Sequence, residues 1–252
     1  MSILDAFDPD SEEIVKARLQ RSFRPAEHFP ETVIMTFKEE TFRILPQVCR
    51  AESVDVLREG RTIPVYGLRW RERELGIVQS LVGGAGTVCL LEQLWARGAK
   101  NVLVYGSCGV LDRSAAAGSL ILPTAAYRDE GTSYHYLPAG DYVDVPTCRR
   151  LGEIFAALNL PVRFGKVWTT DGFYRETRNN LEKRRADGCI AVDMECASVM
   201  AAARFRGREV YQFLCAEDSL DGGVWDRRTM GAVPDSSHEK FLRAALETAA
   251  RL

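Results

Sequence analysis

Histidine is scarce in this chain, at three of 252 residues, and the seven cysteines never form a CxxC pair. These two shortages exclude the common zinc geometries, which need Cys and His clustered at short fixed spacings. An odd, scattered set of thiols does not build a disulfide framework either, so reduced cysteines in a cytoplasmic compartment are expected. An excess of one charge is also lacking. The 33 Lys and Arg nearly balance the 35 Asp and Glu, for a net charge of −2. Such a balance gives no electrostatic grip on nucleic acid or on a membrane surface. No apolar run is long enough to cross a bilayer, and the acidic opening MSILDAFDPDSEE does not read as a signal. Internal repeats and linker-like stretches are missing too. What remains is a chain that is 46% hydrophobic, enough for a sizeable core in one domain.

The most informative stretch runs from Ile190 to Leu220. Ile190 to Val192 reads as a strand that leads into Asp193, Met194 and Glu195. Cys196 to Phe205 reads as a helix, with Gly207 as its left-handed stop. Glu209 to Ala216 is apolar almost throughout, the pattern of a strand buried on both faces, and it ends on Glu217 and Asp218. A parallel sheet binds ligands outside the carboxyl ends of its strands, which would aim Glu195 and Asp218 into one crevice. A carboxylate in a helix's first turn is also favourable as a cap, so Glu195 has a structural alternative.

Residues 1–30 read as a polar N-terminal arm with a short helix, holding Arg24-Pro25 and Phe29-Pro30, and residues 31–252 as a single domain. Further strands are expected at Thr32 to Phe37, Ile63 to Trp70, Leu75 to Val78, Asn101 to Tyr105, Ser119 to Thr124 and Val162 to Trp168. Further helices are expected at Glu39 to Cys49, Gly86 to Arg97, Thr147 to Leu158, residues 176–187 and Ser236 to Arg251. A Gly-rich turn around Gly84 opens the second of these, and its N–H groups suit an anion or a hydroxyl. Cys89 stands where a dinucleotide fingerprint needs its third glycine, and close backbone packing explains these glycines as well. Gly106-Ser107-Cys108-Gly109 reads as a sharp turn that leaves Ser107 at the sheet's carboxyl edge. The loop from Ala126 to Tyr142 carries His135 and a dense set of aromatic and polar groups, as a site wall would. Residues 221–235 read as a loop able to close over a site.

Ser107, Met194, Glu195 and Asp218 would thus converge, with Phe173 and Tyr174 as flat surfaces. A carboxylate can accept two hydrogen bonds from a vicinal diol, and aromatic faces can stack a base. A second carboxyl, its pKa raised by burial and a neighbouring charge, can protonate a leaving group. These parts suit cleavage at a sugar carbon through an oxocarbenium-like transition state.

The segments GSCGVLD, TTDGFYRE, VDMECAS and AEDSLD resemble the nucleoside phosphorylase family, which includes hexameric purine nucleoside phosphorylase, uridine phosphorylase and methylthioadenosine nucleosidase. The resemblance spans about Ile63 to Leu220. It implies one α/β domain around a mixed, partly barrel-like β-sheet flanked by helices, acting as a homo-oligomer, a dimer or a hexamer. It implies a small-molecule nucleoside as substrate and no cofactor or metal, with inorganic phosphate as co-substrate. By the same resemblance Glu195 binds the ribose hydroxyls, Met194 packs on the sugar, and Phe173 stacks on the base beside Tyr174. Asp218 protonates purine N7, and Ser107, with the turn at Gly84, contacts phosphate or the nucleophile.

The chain also departs from that pattern. Val104 and Tyr105 occupy the place of a phosphate-binding arginine. Thr36-Phe37-Lys38-Glu39-Glu40-Thr41 replaces the family's Gly-Asp-Pro-x-Arg loop, leaving Lys38, Arg43 or Arg58 as substitute cations. Thr177 and Asn179 stand where uridine phosphorylases read uracil. Glu39 and Glu40 fall near the water-activating glutamate of the nucleosidases. Phosphorolysis of a purine nucleoside is therefore the leading expectation, hydrolysis with water activated by Glu39 or Glu40 the second, and nucleoside binding without turnover the third.

Overall fold

A computed structural model describes residues 2–20, 23, 28–112 and 114–252. The Arg24-Pro25 step lies outside the described residues. The described residues form ten strands: β1 (Thr32–Thr36), β2 (Ala51–Arg58), β3 (Thr62–Trp70), β4 (Arg73–Gln79), β5 (Asn101–Val110), β6 (Leu120–Asp129), β7 (Tyr142–Asp144), β8 (Val162–Thr170), β9 (Cys189–Asp193) and β10 (Glu209–Ser219). Six α-helices accompany them: α1 (Glu39–Val48), α2 (Gly84–Ala96), α3 (Cys148–Ala157), α4 (Arg178–Ala186), α5 (Cys196–Arg206) and α6 (Asp235–Ala249).

All ten strands belong to one mixed sheet. β10 pairs with both β5 and β6, and β6, β8, β9 and β5 pair in turn, so these five strands close a barrel. From β5 the sheet continues outward through β1, β4, β3 and β2. The apolar runs of β1, β5 and β10 explain their central place, because each strand feeds both faces. Met35, Val104 and Leu214 join the core beneath α2 and α5, while Ile34, Leu103 and Phe213 join the core beneath α1, α3 and α6. In α6, Phe241, Leu242, Ala245, Leu246 and Ala249 are buried, as their spacing on one helical face requires. In the arm, Phe7 stacks edge-on against Phe205 of α5, and Glu13 pairs with Arg206.

The structure corrects several expectations. Gly106 to Gly109 is not a turn: β5 runs straight through it to Val110, and Ser107 sits in mid-strand. Neither Gly106 nor Gly109 has a positive φ, so these glycines mark close approach instead of a bend. A Cβ on Gly106 would stand 2.7 Å from the Phe37 ring, and one on Gly109 would stand 2.8 Å from Leu220. β2 and β7 come as additions, and β6 takes up the first residues of the stretch expected as a loop. The strand pair carrying Glu195 and Asp218 is not parallel. β10 runs parallel to β5, whereas β9 runs antiparallel to it.

One edge of β5 is paired with β10 along its whole length. The other edge pairs with β1 as far as Tyr105 and with β9 only from Gly109. Between the two partners, Gly106, Ser107 and Cys108 face a gap. A change of neighbour of this kind is where open sheets leave a crevice for ligands.

Candidate active site

Asp193 closes β9 and is buried. Its carboxylate accepts from the backbone N–H of Cys196 at 2.8 Å and of Glu195 at 3.3 Å, and from Thr169 Oγ1 at 2.7 Å. It therefore supplies the start of α5 with the acceptor that a helix N-terminus needs. Glu195 makes no side-chain cap. Its Oε1 instead accepts from the backbone N–H of Gly83 at 2.7 Å, across the gap to the loop between β4 and α2. Burial raises the pKa of Glu195, and the charge of Asp193 raises it further. Burial also raises that of Asp193, against the pull of its hydrogen bonds. Met194, between them, is half-buried.

Asp218 lies on the other edge of β5. Gly109 is the register partner of Val192 on one edge and of Asp218 on the other. A Cβ there would stand 3.1 Å from Val192 and 3.2 Å from Asp218 Oδ2, so a glycine lets the two strand ends close in. The register of β10 shifts between Ala216 and Asp218, and Glu217 is the extra residue. Bulges of this kind re-aim side chains beside active sites. Trp225 Nε1 donates to Asp218 Oδ2 at 2.8 Å. Burial nonetheless raises the Asp218 pKa, and the indole hydrogen bond opposes that shift. Cys108, between the two strand ends, is reached by the charges of Asp193, Asp218 and Glu217.

Phe173, Tyr174, Glu176, Arg178, Leu220 and Trp225, the last bonded to Asp218, line a cavity of about 200 Å³. Phe173 meets Tyr174 edge-on at 4.9 Å and Trp225 at 6.0 Å. The cavity is smaller than the roughly 300–1,000 Å³ of sites that hold a whole ligand, so it suits one flat ring. Burial and the neighbouring Asp218 push the Glu176 carboxyl up to about 8. Sequence reasoning missed Glu176, Trp225 and the capping role of Asp193. For Asp193 a signal existed, an acid three residues ahead of the first helical residue. Glu176 had only its place after the aromatic pair.

Ser107 is half-buried in the gap, and its hydroxyl has no hydrogen-bond partner among the described residues. Gly84 opens α2, and its missing Cβ is matched by Ser198, whose Oγ would stand 2.1 Å away. The expected cations are each already paired. Lys38 donates to Glu217 at 2.6 Å, Arg43 forks onto Asp235 at 2.5 and 2.8 Å, and Arg58 donates to Thr62. Glu39 and Glu40 are exposed in the first turn of α1. His135 is exposed at the end of a short 3-10 turn. Among the described residues, no group of three or more His, Cys, Asp or Glu could hold a metal ion.

A family model described as the phosphorylase superfamily matches residues 31–252. The chain is 24% identical over 204 residues to a guanosine phosphorylase of Halorubrum lacusprofundi, covering 80% of this chain and 83% of that protein. It is 24% identical over 202 residues to a DeoD-type purine nucleoside phosphorylase of an Exiguobacterium species, covering 79% and 84%. Among solved structures, a purine nucleoside phosphorylase from Toxoplasma gondii in complex with immucillin-H superposes with a TM-score of 0.75 at 21% identity, covering 96% and 97%. A uridine phosphorylase from Vibrio fischeri superposes with a TM-score of 0.72 at 22% identity, covering 90% and 94%.

Proposed function

The chain belongs to the phosphorylase superfamily, and from that premise we propose that it cleaves the N-glycosidic bond of a purine nucleoside, by phosphorolysis to free base and ribose 1-phosphate. The observation that supports this reading is the close approach of the ends of β9 and β10 on either side of Gly109, with Glu195, two residues beyond β9, released from capping by Asp193 and Asp218 re-aimed by a bulge. In the proposed reaction the ionised Glu195 accepts hydrogen bonds from the ribose 2′- and 3′-hydroxyls, and Met194 packs against the sugar. Phe173 and Tyr174 hold the base. As the C1′–N9 bond breaks, its electron pair moves into the purine ring and protonated Asp218 gives its proton to N7. Charge left on the sugar carbon is quenched by a phosphate oxygen, held at Ser107 and the N–H groups beside Gly84. Burial of Asp218 supports this role, because a carboxyl whose pKa lies nearer neutrality is a better general acid.

A second reading, hydrolysis, is favoured by one feature. The Phe37 ring packs on Gly106, next to the place proposed for phosphate, and Lys38 is committed to Glu217. A phosphate dianion without a fixed cation loses its main positioning group, whereas water needs none. Glu39 or Glu40 would then activate that water. A homo-oligomer belongs to either reading, and the exposed Ile14, Val15 and Leu19 of the arm offer surface for one. Base release from a nucleoside panel, with and without phosphate, separates the readings. Phosphate-dependent release with ribose 1-phosphate as product supports phosphorolysis. Release without phosphate, giving free ribose, replaces it with hydrolysis. Nucleoside binding without release would sink both and leave a binding protein.

A further inference from the structure

The segment between β10 and α6 does more than connect them. Ser219 and Asp226 exchange backbone hydrogen bonds at 2.8 and 2.9 Å, so residues 220–225 form the tip of a tight hairpin. One foot of the hairpin is β10 itself. The other is pinned, because Arg228 donates to the carbonyl of Ala115 at 2.8 Å and the Thr229 N–H to that of Glu217 at 3.2 Å. The tip carries Gly222 and Gly223, the latter with a φ of +65°, which glycine adopts at no steric cost. Val224 is 74% exposed and Trp225 47%, and neither joins a buried core cluster. Contacts that hold the tip down include Arg178 on the carbonyl of Gly223 at 3.3 Å, Arg185 on Asp221 at 3.0 Å, and the Trp225 indole on Asp218.

The indole stands where the proposed chemistry needs a base. Its ring lines the aromatic cavity and meets Phe173 edge-on at 6.0 Å, while its Nε1 donates to Asp218 Oδ2 at 2.8 Å. Asp218 is 5% exposed and is not itself part of the cavity wall, so nothing the size of a base reaches it past the indole. An indole is a flat, two-ring body with one ring N–H, and its two contacts are those that the proposed reaction gives to the purine.

We propose that Trp225 is a built-in occupant of the base subsite: its indole holds the Asp218 and Phe173 contacts that the purine takes over, and the hairpin tip swings out on its glycines before a nucleoside seats. This rests on the nucleoside-cleaving reading of the same site. The exchange is a competition. Each purine that binds displaces one hydrogen bond to a carboxyl group and the contacts of one aromatic ring. The apparent affinity is then the intrinsic affinity reduced by the fraction of molecules with the tip out. A hydrogen bond to a charged group is strong enough to hold that fraction at about one in ten or fewer.

The test compares the wild type with Trp225→Phe, which keeps a flat ring without the N–H, and Trp225→Ala, which removes both. Neither substitution reaches a core cluster, so the barrel keeps its fold. Hypoxanthine and adenine are titrated by calorimetry, and cleavage of inosine and adenosine is followed in parallel. Both bases should bind Trp225→Phe about tenfold more tightly than the wild type, and Trp225→Ala at least as tightly as Trp225→Phe. Bases that bind the variants alone would support the assignment most directly. Trp225 emission, taken as the difference between the wild-type and Trp225→Phe spectra, reports where the indole goes. Saturation with hypoxanthine should shift it to the red and open it to quenching by acrylamide, as for an indole moved into water. Weaker binding by both variants, with Trp225 shielded from acrylamide by hypoxanthine, would make the indole a wall of the site and overturn the assignment. Affinities that neither substitution changes would overturn it too. In both cases cleavage of inosine or adenosine by the wild type leaves the cleavage reading standing. If the wild type and both variants neither bind a base nor cleave a nucleoside, both fall.

Discussion

Substituting Gly84 by alanine tests whether the loop behind Glu195 is shaped by packing. A Cβ at this position would lie 2.1 Å from Ser198 Oγ and 2.8 Å from Ser198 Cβ. Ser198 cannot swing aside without cost, being fully buried and hydrogen-bonded to Glu130. Overpacking of a filled interior costs about 1–3 kcal/mol, and alanine in place of a helical glycine returns about 0.5–1 kcal/mol. The net loss is about 1–2 kcal/mol, which for a chain of this size lowers Tm by roughly 2–8 °C. Because the neighbouring Gly83 N–H holds Glu195 at 2.7 Å, the nucleoside KM should rise with kcat less affected. Ser198→Gly removes both offending atoms. By itself it destabilises, losing the bond to Glu130 and placing a glycine inside α5. Combined with Gly84→Ala it should recover stability, with a coupling of about 1–2 kcal/mol. Thermal unfolding of the four proteins of this cycle, with KM for each, is the assay. Additivity within about 0.5 kcal/mol would refute the packing argument and return Gly84 to a role in ligand contact alone.

Glu195→Gln should weaken ribonucleosides far more than 2′,3′-dideoxynucleosides, and equal losses in competition binding would remove the diol contact. Only ionised Glu195 can accept from both hydroxyls, and its pKa is raised. Ribonucleoside affinity should therefore climb as pH rises through that pKa and level off above it, in a titration that Glu195→Gln abolishes. Asp218→Asn should slow purine release by about 10²–10⁴-fold while base binding persists, and an unchanged single-turnover rate would strip Asp218 of its role as acid. Lys38→Met leaves the buried Glu217 carboxylate unpaired, which costs about 3 kcal/mol or more in urea unfolding. Adding Glu217→Gln should restore a large part of it, and failure to do so would mean that the pair contributes little.

The barrel strands were legible where burial on both faces leaves an uninterrupted apolar run, as in β10, and α6 where apolar residues recur on one helical face. β2 escaped because it is a mostly exposed edge strand, and its AESVDVLR sequence carries the charges that protect such an edge. β7 is three residues long, too short for any period. Gly106 and Gly109 were misread as turn residues because glycine signals both a bend and a close approach, and only the third dimension distinguishes them. Glu195 and Asp218 could be picked out as acids closing apolar strands, but the reason the ends of β9 and β10 flank Gly109 could not. It depends on β9 running against β5, a pairing between residues about eighty positions apart. Glu176 was invisible for a similar cause, since its significance lies in Asp218 and Trp225, more than forty residues downstream.

The two-sided pairing of β5 has a consequence for how the chain is made. Residues 31–110 contain β1 to β5, which pair as an unbroken half-sheet in the order β5, β1, β4, β3, β2. A chain leaving the ribosome N-terminus first can assemble that half before β6 exists. The barrel has no such independence, because both β9 and β10 need β5 already in place as a template. Synthesis would then proceed from an early scaffold to a late closure, with the ligand crevice created at the seam. The amides of Val102 to Tyr105, held by both halves, would be the last in the molecule to exchange with solvent deuterium.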